Sequence, residues 1–193
     1  QVRVSEAYGK LPLSFEANQG QSEAPVKFLS RGSGYTLFLT DSEVVLTLSK
    51  PTVPTTIVLE DTQTTAPAVL RLQLVGANPA PLLSGLEELP GKSNYFIGNN
   101  PDKWHTDVPN YTSVKYQDVY PGVDLVYYGN QRQLEYDFIL APGADPTAIR
   151  LGFEGADKLS LDSQGNLILH TETGEVIQHA PVIYQEVNGV RQT

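Results

Sequence analysis

Hydrophobic and polar positions alternate most clearly between Val123 and Leu140. Val123, Leu125 and Tyr127 fall on one side of a two-residue period, and Leu134, Tyr136, Phe138 and Leu140 on one side of another. That period marks a strand with one buried face. Gly129-Asn130-Gln131-Arg132 is a polar loop between the two runs, so a β-hairpin is expected. A hairpin is marginal alone and needs further strands over its apolar face. The stretch from Tyr111 to Leu140 is therefore expected to organise the chain.

The same reading gives a meander earlier on. Strands are expected over 26–30, 35–40 and 43–49, with Gly32-Ser33-Gly34 and Asp41-Ser42 as breaks. Short intervals favour antiparallel neighbours. Leu11 to Ala17 reads as a short strand and Asn18 to Ser22 as a loop. Leu70, Leu72 and Leu74 mark another strand. Three prolines between Lys50 and Pro67 exclude a long regular ladder there. Ser84 to Leu89 reads as one helical turn stopped by Pro90-Gly91, and Asp102 to Pro109 as a polar loop. A change of composition near residue 80 is a candidate internal boundary. Later strands are expected over 149–153, 159–161, 167–171, 176–179 and 182–187. Asn188-Gly189 is a strong turn signal, and its return strand is expected to lie outside the chain. The fold class is all-β: a predominantly antiparallel sandwich or elaborated barrel with little helix.

Composition narrows the partners. The 193 residues suit one β-rich domain, with a core large enough to need no cross-link. There is no cysteine, so thiolate chemistry is excluded. A formal charge of −9 with scattered Lys and Arg argues against nucleic acid. No apolar run reaches transmembrane length. Methionine is absent even at position 1, from which we expect a mature chain left after removal of a signal peptide.

The resemblance is carried by several ordered segments. They are Leu13 to Gly20 (LSFEANQG), Arg31 to Leu39, Leu89 to Gly98 (LPGKSNYFIG), Tyr120 to Phe138 and Pro181 to Gln185 (PVIYQ). Together they resemble the amino-terminal, non-propeller domain of bacterial SBBP-repeat proteins, over nearly the whole chain. The resemblance implies an exported domain and names no reaction. It also implies a strand or two after Gly189 that would finish the domain.

Candidate chemistry is sparse. Glu135 and Asp137 share the polar face of one strand, roughly 7 Å apart along the chain, in the range of an inverting glycosidase pair. A solvated sheet face, a ligand site and paired catalysis all fit that spacing. Asp124 is the residue that would join them across the hairpin. Trp104, the sole tryptophan, either docks its loop onto the core or stacks on a sugar or peptide. His105, His170 and His179 lack zinc-like spacing, and Asp162 to Asn166 lacks the calcium-loop ligand sequence. No cofactor is expected; a structural calcium ion held by oxygen ligands from distant segments is the alternative weighed. No nucleophile motif is present, so no catalytic residue is assigned. The expected role is an extracellular structural or protein-interaction module assembling through strand edges. The assembly residues are Val2 and Val4 at one end and Val182, Tyr184 and Val187 at the other. Its partners would be copies of itself or downstream domains of a parent chain. A carbohydrate-binding module and a glycosidase-like enzyme are the alternatives.

Overall fold

A computed structural model describes residues 13–32, 34–48, 68–130, 133–172, 174–187 and 190–192. The fold is all-β, with 61% of the described residues in strands and 4% in helix. Among the described residues, ten strands form one antiparallel sheet, curled into a half-barrel. Its first half holds β1 (Phe15–Ala17), β2 (Phe28–Gly32), β3 (Tyr35–Leu39), β4 (Glu43–Leu48) and β5 (Ala68–Leu74). Its second holds β6 (Leu82–Tyr95), β7 (His105–Tyr120), β8 (Val123–Asn130), β9 (Gln133–Leu140) and β10 (Leu151–Glu154). The pairing path is β10-β5-β4-β3-β2-β1-β7-β8-β9, and β6 pairs with β7 off that path.

The 16-residue β7 is the hub. One edge carries β6 along its length. The other carries β1 at Asn110 and Tyr111, then β8 from Ser113 onward. Gly129 of β8 comes against Leu13, where a side chain would place its Cβ 2.5 Å from that of Leu13. The meander and the hairpin thus meet end to end on one strand. Residues from before residue 80, such as Phe15, Leu37, Leu39 and Leu74, pack in one core with Val114, Tyr116, Leu125 and Tyr127 from after it.

Several assignments differ from the sequence reading, and Gly129 and Asn130, read as loop, extend β8. Ser84 to Leu89 is not a helical turn but part of β6, because β7 offers it a ladder and tertiary pairing overrides local preference. Gly85 is required there, since a Cβ would fall 2.3 Å from the Tyr111 ring. The segment read as a loop at 102–109 enters β7 at His105, after a 3-10 turn over Pro101–Lys103. Irregularities bend this pair: Glu87 and Asp107 have φ of 53° and 60°, and register shifts fall between Glu88 and Lys92 and between Ser93 and Tyr95. Such bulges increase local twist. Finally, Val182 to Tyr184 is not strand. The strand starts later, as β14 (Gln185–Val187), after a separate antiparallel sheet of β11 (Lys158–Leu161), β12 (Leu167–Thr171) and β13 (Gly174–Gln178). The return strand expected outside the chain is present as β15 (Val190–Gln192), paired with β14.

Tyrosines build the core around the hub. Tyr116, Tyr127, Tyr136 and Phe138 form a chain of ring contacts across β7, β8 and β9, with centroids 5.7 to 5.9 Å apart. The Tyr116 hydroxyl donates to the Thr40 carbonyl at 2.7 Å, and Tyr120 donates to the Arg150 carbonyl at 2.9 Å. Both tie the hub to the opposite rim. The Tyr127 hydroxyl is buried with no partner among the described residues. A buried polar group left unpaired costs about 1–3 kcal/mol. Tyr127→Phe is therefore expected to hold or raise stability by about 1 kcal/mol, whereas Tyr116→Phe strands the Thr40 carbonyl and lowers it by about 1–2 kcal/mol. Urea unfolding of the two variants reads the difference. Equal losses would show that Tyr127 has a partner after all.

Candidate functional site

The outer face of the β8–β9 hairpin gathers the carboxylates singled out from sequence. Tyr127 stands opposite Tyr136 and Leu125 opposite Phe138, so these point to the core. Glu135, opposite Tyr128, and Asp137, opposite Val126, take the other side. Tyr128 donates its hydroxyl to Asp137 Oδ1 at 3.2 Å, and Tyr184 donates to Oδ2 at 2.9 Å. Desolvation first, then hydrogen bonding to Glu135 and the nearby Asp137 charge, push the Tyr128 phenol well above its ordinary value. The result is a proton-holding cluster of two phenols and two carboxylates. Asp124 does not join it. It faces Ile139 across the pair and is taken up by the Lys115 ammonium at 2.7 Å and the Asp118 amide at 2.8 Å. Burial works to raise the Asp124 pKa, but those two donors outweigh it and hold the carboxyl below its usual range.

Tyr184 is brought to this face, which sequence spacing did not show. Its bond to Asp137 fastens the segment before β14, while Val182 and Ile183 stand 74% and 85% exposed. Val187 ends β14. Val2 and Val4 lie outside the described residues.

Trp104 is not part of the cluster. It precedes the end of β7 that pairs with Tyr95, away from the part bonded to β8. Its indole donates to the Gly98 carbonyl at 3.1 Å and meets the Phe96 ring edge-on at 5.2 Å. It therefore clamps its own loop, with Phe96 and Ile97 more than 60% exposed at the tip.

A third group was missed in the sequence. Ser160 Oγ lies 2.8 Å from His170 Nε2, and His170 Nδ1 lies 3.0 Å from Glu175 Oε1. The tight turn pairing Thr171 with Gly174 places His170 opposite Glu175; that register was the available signal. The atom order is that of a Ser–His–acid relay. The Glu175 side chain is 56% exposed, so solvent screens its hold on the ring. The arrangement orients an imidazole on an open sheet face.

The loops are largely self-satisfied. Asn18 accepts from the Gly20 and Ser22 amides and donates to the Glu23 and Val26 carbonyls. A groove of about 660 Å³ beside it is lined by Asn18, Gly20, Lys27, Asp41 and Leu83. Asp162 is held below the usual carboxylate range by the side-chain amide and then the backbone amide of Asn166. Among the described residues no three His, Cys, Asp or Glu side chains are grouped to hold a metal ion, and no helix is long and apolar enough to cross a membrane.

The family model described as a domain of unknown function, DUF7948, matches residues 15–193. The chain belongs to that family. Its match begins at the first residue of β1 and takes in the half-barrel, the three-stranded sheet and the β14–β15 hairpin. No curated protein and no solved structure is matched by the chain.

Proposed function

We propose that this DUF7948 domain is an extracellular structural or protein-interaction module that joins other chains, or neighbouring domains of its own, through open strand edges. The observation that carries this reading is that the ten-stranded sheet stops at a half-barrel. Its terminal strands, β9 and β10, each have one strand neighbour among the described residues. An open edge presents backbone donors and acceptors that an added strand satisfies. The segments resembling the amino-terminal domain of exported SBBP-repeat proteins favour an extracellular setting and a parent chain with further modules. The polar clusters described above have partners within the chain and stand on open faces, which suits a binding surface better than a reaction vessel.

Native mass spectrometry with hydrogen exchange tests the reading. The expected result is concentration-dependent association, or capture of an extended peptide, with amide protection at sheet edges. A strict monomer that captures no strand and keeps all edges fast-exchanging would overturn it. The exposed Phe96, Ile97 and Trp104 favour glycan binding as a second reading. Saturable binding on a glycan array, lost in Trp104→Ala, would support it.

A further inference from the structure

The edges of the half-barrel are not equivalent. β10 has four residues. β6 is long but contains Pro90, a left-handed Glu87 and two register shifts, devices that stop a ladder from growing. β9 has none of these. All eight of its residues pair with β8 in unbroken register, without proline or glycine. Its inward residues Leu134, Tyr136 and Phe138 are only partly buried, although they pack on the core. Ile139 and Leu140 are exposed at its end. Among the described residues β8 is the sole strand beside it.

Charge selects what sits there. A second copy of β9 pairing antiparallel about a twofold axis through the sheet would set residues of like parity opposite each other. In the two most central registers, with the axis at Tyr136 or at Asp137, Glu135 would face Asp137 of the other copy or Asp137 would face itself. Like charges directly opposite destabilise a sheet. Asp137 accepts from two neutral phenols, and among the described residues no Lys, Arg or His forms a salt bridge with it. The chain as a whole is at −9.

We propose that β9 is a docking edge for an extended strand of another polypeptide in which apolar residues alternate with lysine or arginine. Its apolar side chains extend the row of Leu134, Tyr136 and Phe138 inside, and its basic side chains stand opposite Glu135 and Asp137 outside. This rests on the strand-addition reading above and names the edge and the chemistry of the strand.

The test uses the full chain and three labelled octapeptides: valine alternating with lysine, valine alternating with glutamate, and proline alternating with lysine. Fluorescence anisotropy measures affinity, and hydrogen exchange locates the site. The valine–lysine peptide is expected to bind at least tenfold tighter than either of the others and to slow exchange over residues 133–140. Asp137→Lys should abolish that preference. Asp137→Asn, which keeps one carbonyl acceptor for a phenol and turns an amide N–H to the other hydroxyl oxygen, should weaken it and guards against a merely unfolded variant. Equal binding of the two lysine peptides would mean attraction to net charge alone and would overturn the inference. So would protection confined to another edge, although strand addition would then still stand. Failure of all three peptides, with no self-association, would remove both.

Discussion

Gly155→Ala is expected to cost at least about 3 kcal/mol and to loosen β10 from the half-barrel. Gly155 follows β10 at the passage toward the three-stranded sheet. It has a φ of 86°, and a Cβ there would lie 2.0 Å from the Val69 carbonyl oxygen and 3.5 Å from the Leu70 Cα. The left-handed conformation alone costs a side-chain-bearing residue about 1–2 kcal/mol. The clash adds more, because backbone atoms of a paired strand cannot swing aside as a flexible side chain can. Val69 belongs to β5, which pairs with β10 from Leu72 to Leu74 and at Arg71, so any retreat disturbs that ladder. Gly143→Ala is the control. It has a φ of 85° but open space where the Cβ would go, and about 1 kcal/mol is expected. Urea melts of both, with hydrogen exchange over residues 151–154, separate conformational strain from the clash. Equal costs would show that the Val69 contact is readily relieved.

Above pH 10 the fold is expected to lose stability steeply. Burial keeps Tyr116 and Tyr127 protonated well above the ordinary phenol range, and it pushes Tyr136 up to about 12. In the unfolded chain all three ionise near 10. Between those values the unfolded state has released protons that the folded state retains, so rising pH favours unfolding. Stability is intact below the unfolded pKa and falls as pH climbs through the folded one. Each group contributes a slope of about 1.4 kcal/mol per pH unit, and three together about 4 kcal/mol. Two units therefore remove roughly 8 kcal/mol, comparable to the whole stability of an ordinary domain. Phenolate absorbance near 295 nm and circular dichroism, followed together, read this directly. Exposed tyrosines should titrate gradually, and the core three should ionise in one step as the sheet signal disappears. Tyr127→Phe should reduce the slope by about a third. If all ten tyrosines ionised near pH 10 with the sheet intact, the core assignment would fail.

What the sequence determined by itself was local. Alternation placed β3, β4, β5, β8 and β9 within a residue or two, because a strand buried on one face must repeat every second residue. It also put Glu135 and Asp137 on the solvent side, since Tyr136 and Phe138 claim the core. The turn at 162–166 was legible from Asp162 and Gly165, whose chemistry acts within a few residues. Tertiary structure decided the rest. β6 is irregular, broken by Pro90 and a left-handed Glu87, and is a strand only because β7 supplies its ladder. The meeting of β1 and β8 on one edge of β7 depends on pairings roughly a hundred residues apart, and no local pattern encodes such a register. Tyr184 reaching Asp137 depends on how a non-strand segment crosses the sheet, and Ser160, His170 and Glu175 fall into line through strand register. Only His170 opposite Glu175 could be read locally, from the turn that pairs Thr171 with Gly174; side chains brought together from distant segments leave no periodic trace in the chain.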